Sequence, residues 1–153
     1  MSLSRTNLEI TTKEFHQLDI NTLYDMLQLR TEVFVVEQDC VYQDLDGKDQ
    51  KALHIIGTLA GKVVAYTRCF KPGDYFEQAS IGRVVVHKDH RKDGFGHDIM
   101  NASVKAIEEV YKTKTIKLSA QTYLTKFYNS HGFYEVGEGY LEDGIPHIAM
   151  IKQ

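Results

Sequence analysis

The run Arg91-Lys92-Asp93-Gly94-Phe95-Gly96 follows three valines, Val84-Val85-Val86, and leads into a long amphipathic stretch. A glycine-bearing loop between a strand and a helix suits an anion. The first N–H groups of a helix have no internal acceptor, and they lie at the positive end of its macrodipole. Glycine lets the backbone take left-handed angles and approach a ligand closely, and Arg91 and Lys92 add positive charge. The spacing fits a phosphate or pyrophosphate. It fits equally a helix capped by Asp93 whose two glycines only shape a turn. No Gly-Lys-Ser/Thr follows the glycines, and no third glycine stands at the dinucleotide spacing. Both absences argue against a nucleoside-triphosphate loop or a dinucleotide fingerprint.

Other side chains could move protons or recognise charge. His54 and His147 are candidate bases, since an unperturbed imidazole titrates near ~6.5. His147 stands in "EDGIPH", at the start of the last strand-like run and beside a turn. Glu37, Glu138, Glu142 and Asp143 are further candidates. A lone histidine more often fills a strand end than catalyses, so the structural reading of both histidines leads. Arg68 and Arg83 each sit inside a strand-like run, and Arg83 alternates with Ile81 and Val85. A charge on an apolar face needs a partner or a pocket. Arg68 and Arg83 therefore either recognise a polar group of a substrate or form ion pairs with acidic neighbours. Arg30, on the apolar face of a helix, reads as an ion pair. Glu37, Asp39, Asp44, Asp46 and Asp49 crowd one segment. They could attract an ammonium-bearing substrate, and a solvated loop is the simpler reading. The segment lacks the acidic alternation and terminal Glu of a calcium loop, so no metal is expected. Nothing near Cys40 or Cys69 would lower a thiol pKa, and both read as inert.

The elements that must position these residues follow from periodicity. Asn21 is placed to cap a helix whose apolar face holds Leu23, Met26, Leu27, Val33 and Phe34 together with Arg30. Two apolar runs around Ala60-Gly61 form a hairpin. "ASIGRVVVH" is another strand. Phe95, Ile99, Ala102, Ala106 and Val110 line one face of a helix over 94–111. "TIKLSAQ" is a short strand, and "TYLTKFYNSHG" a short helix stopped by Gly132. Two strands follow around "EDGIP". The order β-α-β-β-β-α-β-α-β-β lacks strict alternation, so the sheet of this α/β (α+β) chain should be mixed.

These motifs, in this order, resemble the GNAT superfamily of N-acetyltransferases. "RKDGFG" matches the family's [QR]-x-x-G-x-[GA] loop, and "FYNSHGF" its tyrosine-bearing signature ending in Gly-Phe. "LQLRTEVFVVEQDCVYQDLDGKD" and "YLEDGIPHIAM" look like the ElaA-like branch. The resemblance covers about Leu23 to Met150. It implies a mostly antiparallel mixed sheet with flanking helices and a splayed central strand pair. It implies acetyl-coenzyme A as cosubstrate, its pyrophosphate on the N–H groups of the Arg91–Gly96 loop and its pantetheine arm along Val84, Val85 and Val86. It implies a backbone N–H near Val85 or Val86 polarising the thioester, Tyr128 donating to the departing sulfur, and Gln121 near the coenzyme where the family often has Asn. The general base is left open, with His147 the preferred candidate. Arg68, Arg83 and His54 are the candidates for acceptor recognition. The expected groove opens where "GRVVVH" splays from "IKLSAQ".

Composition bounds the partners. The chain has 153 residues, 42% apolar and 25% charged, with net charge -3 and two prolines. This suits one domain, 1–153, without a linker. It offers no basic footprint for nucleic acid. No apolar run spans a bilayer, and no export signal is expected from the start of the chain. Two cysteines in such a chain read as free thiols in a reducing, cytoplasmic compartment. Three readings compete: an N-acetyltransferase acting on a small-molecule or peptide amine, a non-catalytic acyl-coenzyme A-binding regulatory module, and a nucleotide-binding protein. The oligomeric state stays open between monomer and homodimer.

Overall fold

The computed structural model describes residues 8–153, so the expectation about the start of the chain falls largely outside the described residues. Seven strands form one sheet: β1 (Glu9–Glu14), β2 (Leu53–Leu59), β3 (Lys62–Phe70), β4 (Ala79–Val86), β5 (Ile116–Gln121), β6 (Tyr134–Glu142) and β7 (Ile145–Lys152). The α-helices are α1 (Ile20–Thr31), α2 (Phe95–Tyr111) and α3 (Thr125–Asn129). The chain order is the expected one. Across the sheet the order is β1-β2-β3-β4-β5-β7-β6. Only β4 and β5 run parallel.

Two tight turns build the hairpins. Ala60 and Gly61 have φ of 51° and 82°, and Asp143 and Gly144 have 51° and 79°. Two consecutive left-handed residues give the turn whose twist matches that of antiparallel strands. The sheet is covered on both faces. Ile55 and Ile56, adjacent on β2, enter opposite cores, as the period of two requires. One core joins Phe95, Ile99, Met100 and Ile107 of α2 to Ile81, Leu118 and Phe133. The other joins Met26, Leu29 and Val33 to Ile56, Tyr66 and Val85. Each large side chain of α2 contributes roughly 1.5–3 kcal/mol by leaving water. Aspartate in place of fully buried Ile99 would forfeit that and bury a charge as well.

Some boundaries differ from expectation. Asp19, not Asn21, caps α1: its Oδ1 accepts from the Thr22 N–H at 2.7 Å. The helix starts at Ile20, which places Asn21 inside the first turn. The buried stripe of α2 runs through Phe95, Ile99, Ser103, Ala106 and Ile107, while Val110 is half-exposed. Ser103 can join that stripe because its hydroxyl is satisfied by Ile99 O at 2.7 Å and Thr67 Oγ1 at 2.5 Å. Past α1 the chain forms a π-helical turn over Glu32–Glu37. The wider turn brings Phe34 and Gln38 to the edge of a cleft.

That cleft arises from strand separation. β4 and β5 pair only at Ala79–Ile116 and Ser80–Lys117, then part. On its other edge β4 stays with β3, but Arg83 and Val84 together stand opposite Thr67 alone. Arg83 takes φ of 49° there. Such a bulge bends its strand, here away from β5. The expected splayed central pair is thus present, with Gly82–Val86 on one side of the opening and Ser119–Gln121 on the other. Among the described residues, no helix is long and apolar enough to cross a membrane.

Candidate active site

The loop after β4 delivers donors to one end of the cleft. Lys88–Asp93 forms a 3-10 segment, and Gly94 is the residue before α2. Gly94 has φ of 78°, a left-handed angle that disfavours any side chain. No side chain caps α2. The reading of Asp93 as its cap is therefore overturned: Asp93 pairs with His90 at 3.1 Å instead. The Gly94 carbonyl accepts from the N–H groups of His97 and Asp98. The N–H groups of Phe95 and Gly96 have no acceptor within the helix and remain available to an anion. The Phe95 side chain does not face the loop but lies buried in the core, so only its backbone can serve a ligand. A Cβ on Gly96 would meet the Phe127 ring at 3.5 Å and Val86 Cγ2 at 3.9 Å. Arg91 does not offer a free charge. Its terminal nitrogens fork onto Glu37 at 2.6 and 2.9 Å, and its Nε donates to the Val86 carbonyl at 3.1 Å. Lys92 is exposed.

On the α2 side of the cleft lie Val84, Leu124 and Tyr128. Tyr128 is 5% exposed and packs edge-on against Phe127 and Phe133. Its hydroxyl makes no hydrogen bond among the described residues. Burial pushes its pKa up, so the phenol stays protonated. Val85 faces the other way, into the core beneath α1.

On the α1 side the floor is polar. The Ser119 hydroxyl hydrogen-bonds the Tyr140 hydroxyl and lies 3.5 Å from Glu142 Oε1. His147 is 7% exposed and stacks on Tyr140. Its Nδ1 is 2.7 Å from the Ile145 carbonyl, an acceptor only. Nδ1–H therefore donates to that carbonyl, and Nε2 lies 3.6 Å from Glu142. Gln121, at the end of β5, contacts Gln38 at 3.4 Å. Of the remaining carboxylates, Glu37 is committed to Arg91, whose hydrogen bond lowers its pKa and makes it a poor base. Glu142 and Asp143 line the cleft, whereas Glu138 is exposed on β6.

His54 does not belong to this site. It is fully buried, with Nδ1 2.5 Å from the Tyr66 hydroxyl and Nε2 2.9 Å from the Asp49 carbonyl. Burial pushes its pKa down, and both nitrogens are occupied. The expectation that it contacts the acceptor is corrected. In the acidic segment Glu37 and Asp39 are exposed, but the other three carboxylates are spent on ion pairs. Asp44, Asp46 and Asp49 fold over three arginines of the sheet and of α1. Arg30 binds Asp44 at 3.0 Å and Asp49 at 2.9 Å. Arg68 binds Asp46 and Asp49 at 2.8 and 2.9 Å. Arg83 reaches Asp44 at 2.7 Å and its carbonyl at 3.0 Å. Arg68 and Arg83 thus both serve the loop, and both also line the cleft.

Sequence reasoning did not single out Phe34, Gln38, Tyr42, Phe70, Tyr75, Phe76, Ser80, Ser119 or Tyr140, all near the opening. Ser119 had a usable signal, since it alternates with Leu118 and Ala120 on a half-buried strand. Both cysteines are buried and unpaired with each other. Burial pushes the Cys69 thiol up to about 12. Among the described residues, no group of His, Cys, Asp and Glu could hold a metal.

Comparison with known proteins follows the same lines. A family model for the acetyltransferase (GNAT) domain matches residues 13–153. Protein ElaA of Escherichia coli is 42% identical over 139 residues, which is 90% of this chain and 91% of ElaA. A UPF0039 protein of Schizosaccharomyces pombe is 43% identical over 147 residues, covering 95% and 97% of the two chains. The crystal structure of an acyl-CoA N-acyltransferase from Pseudomonas aeruginosa superposes with a TM-score of 0.90 at 42% identity, over 96% of this chain and 100% of that one. The crystal structure of Escherichia coli ElaA also gives 0.90, at 40% identity, over the same shares.

Proposed function

Because the chain belongs to the GNAT acetyltransferase family, in its ElaA-like branch, we propose that it moves an acetyl group from acetyl-coenzyme A directly to a primary amine. The observation that carries the reading is the open edge of β4. From Gly82 to Val86 the strand has no partner on its β5 side, and it leads through Gly94 to the unpaired N–H groups at the start of α2. An extended, amide-bearing arm that ends in a pyrophosphate fits this edge and this helix end, as a missing strand would.

Acetyl-coenzyme A supplies the activated acetyl group. Within the chain, the main-chain groups of Val84 and Val86 align its arm, and an N–H near Val85 or Val86 donates to the carbonyl oxygen as charge builds there. The N–H groups of Phe95 and Gly96 hold the pyrophosphate, with Lys92 nearby. Gln121 borders the same opening. His147 Nε2 takes the proton from the amine, and half-exposed Glu142 passes it to solvent. Tyr128 donates a hydrogen bond to the departing sulfur. Burial lifts its phenol further above a thiol near ~8.5, so it stabilises the thiolate by hydrogen bonding rather than by giving up its proton. The acceptor is a small molecule or a peptide amine. Buried free cysteines and a net charge of -3 fit a reducing, cytoplasmic setting without nucleic acid.

The test is release of free thiol from acetyl-coenzyme A against polyamines, amino acids, amino sugars and short peptides. Release with one acceptor class, lost in Gly96→Glu, is the expected outcome. Coenzyme binding without release across the panel would return the non-catalytic module.

A further inference from the structure

Two buried polar atoms beside the cleft bind nothing among the described residues: Ser80 Oγ and Arg68 Nε. Both residues are at least 98% buried, and both line the cleft. Ser80 is the last β4 residue to pair with β5, with Phe70 on one side and Lys117 on the other. Arg68 lies two residues before Phe70 on β3 and so shares that face of the sheet. Opposite Arg68 is Gly82, where an added Cβ would meet no atom within 4 Å. The two unpartnered atoms are themselves closed off from water, and their residues line the recess where the strands part.

A buried donor left unpaired is uncommon and costly, so such atoms mark places that a ligand group completes. Guanidinium Nε can only donate, and a hydroxyl can donate. The missing group is an oxygen acceptor. Its charge follows from the neighbours. The terminal nitrogens of Arg68 hold Asp46 and Asp49, which leaves Nε as its one donor without a partner among the described residues. Lys117 stands beside Ser80, with its ammonium 5.0 Å from the Phe76 ring centre. At the other end of the floor is Glu142, half-exposed, whose carboxylate lies 3.5 Å from Ser119 and 3.6 Å from His147. With the Arg68 charge balanced by Asp46 and Asp49, Lys117 makes the Ser80 end positive, and Glu142 makes the Ser119 end negative.

We propose that the acceptor is an amino acid: its carboxylate accepts from Ser80 Oγ–H and Arg68 Nε–H beside Lys117, and its amine lies at Ser119 and Glu142. This assignment rests on the acetyltransferase reading above. Ser80 and Ser119 are separated by one strand spacing and two strand steps, roughly 8 Å between Cα atoms. A hydrogen bond of about 2.8 Å at each end leaves room for an amine and a carboxylate only a few bonds apart.

The experiment compares glycine, leucine and phenylalanine, each with its amide and its decarboxylated amine, by thiol release. Acids should exceed the matching amines and amides by about tenfold or more in kcat/KM, as expected for two hydrogen bonds to a charged group. Ser80→Ala and Lys117→Gln should remove most of that preference and leave KM for acetyl-coenzyme A unchanged. Equal use of acids, amides and amines overturns the assignment, as does a Ser80→Ala effect equal on all three. If neither these compounds nor the wider amine panel release thiol, the enzyme reading fails, and binding then decides the recess. An amino acid that raises the Tm of the wild type but not of Ser80→Ala supports it, and no shift overturns it.

Discussion

Replacing Tyr128 by phenylalanine should lower kcat while leaving the fold intact. The Tyr128 ring is buried against Phe127 and Phe133, with centroid distances of 5.1 and 6.3 Å, and phenylalanine keeps both contacts. The hydroxyl has no protein partner to lose among the described residues. Removing a cleft-facing hydroxyl that binds no protein group costs little, so the change in stability should stay within about 1 kcal/mol. At this chain length that is a Tm shift of roughly 2–4 °C at most. The kinetic loss is different in kind. A hydrogen bond to a charged group contributes about 1.5–3 kcal/mol, which converts to roughly 10- to 150-fold in rate. Because the thiolate carries its charge only as the bond breaks, kcat should fall while KM for acetyl-coenzyme A holds. Burial keeps the wild-type phenol protonated beyond its ordinary range, so Tyr128 should add no descending limb to the pH–rate profile below about pH 10. Steady-state thiol release and calorimetry on the two proteins read all of this. An unchanged kcat, or a rate loss accompanied by a large drop in Tm, would refute the assigned role.

Three further outcomes follow from the same geometry. Gly96→Ala should still bind coenzyme, since its methyl would touch the Phe127 ring at an ordinary 3.5 Å, whereas Gly96→Glu should abolish binding in a thermal-shift assay; loss in both or in neither would count against the helix-end site. Asp49→Ala leaves Arg30 and Arg68 each short of a buried partner, so it should cost about 3–5 kcal/mol in chemical denaturation, and a loss below 1 kcal/mol would mean that the loop is not held by its charges. Burial alone would raise Asp46 and Asp49, but Arg68 at the first and Arg30 with Arg68 at the second outweigh it and hold both below the usual carboxylate range; their stabilisation is complete above the unfolded pKa near ~3.9 and is lost as pH falls through the lower folded values, so Tm should drop steeply below about pH 4, and a flat profile there would contradict the network.

Local patterns made most of the frame readable. The order of strands and helices, the two turns with paired left-handed residues, the glycine loop and the tyrosine before Gly-Phe all depend on residues close in the chain. Backbone angles, periodicity and helix-end donors act over that same short range. The Arg91–Gly96 loop could be recognised for this reason, although its arginine charge was misjudged. Glu37, which neutralises Arg91, lies far away in sequence.

The tertiary structure alone decided where the charges went. Nothing in the spacing of Asp44, Asp46 and Asp49 says that they meet Arg30, Arg68 and Arg83, because those contacts join a loop to α1, β3 and β4. The same packing removed His54 from the site and placed His147 in it, though both are histidines on strands. It also opened the cleft: β4 and β5 part after two residue pairs because the bulge at Arg83 bends one strand. A bulge is a property of two strands in register. Residue types could be read from one strand, but the cleft needed the pair.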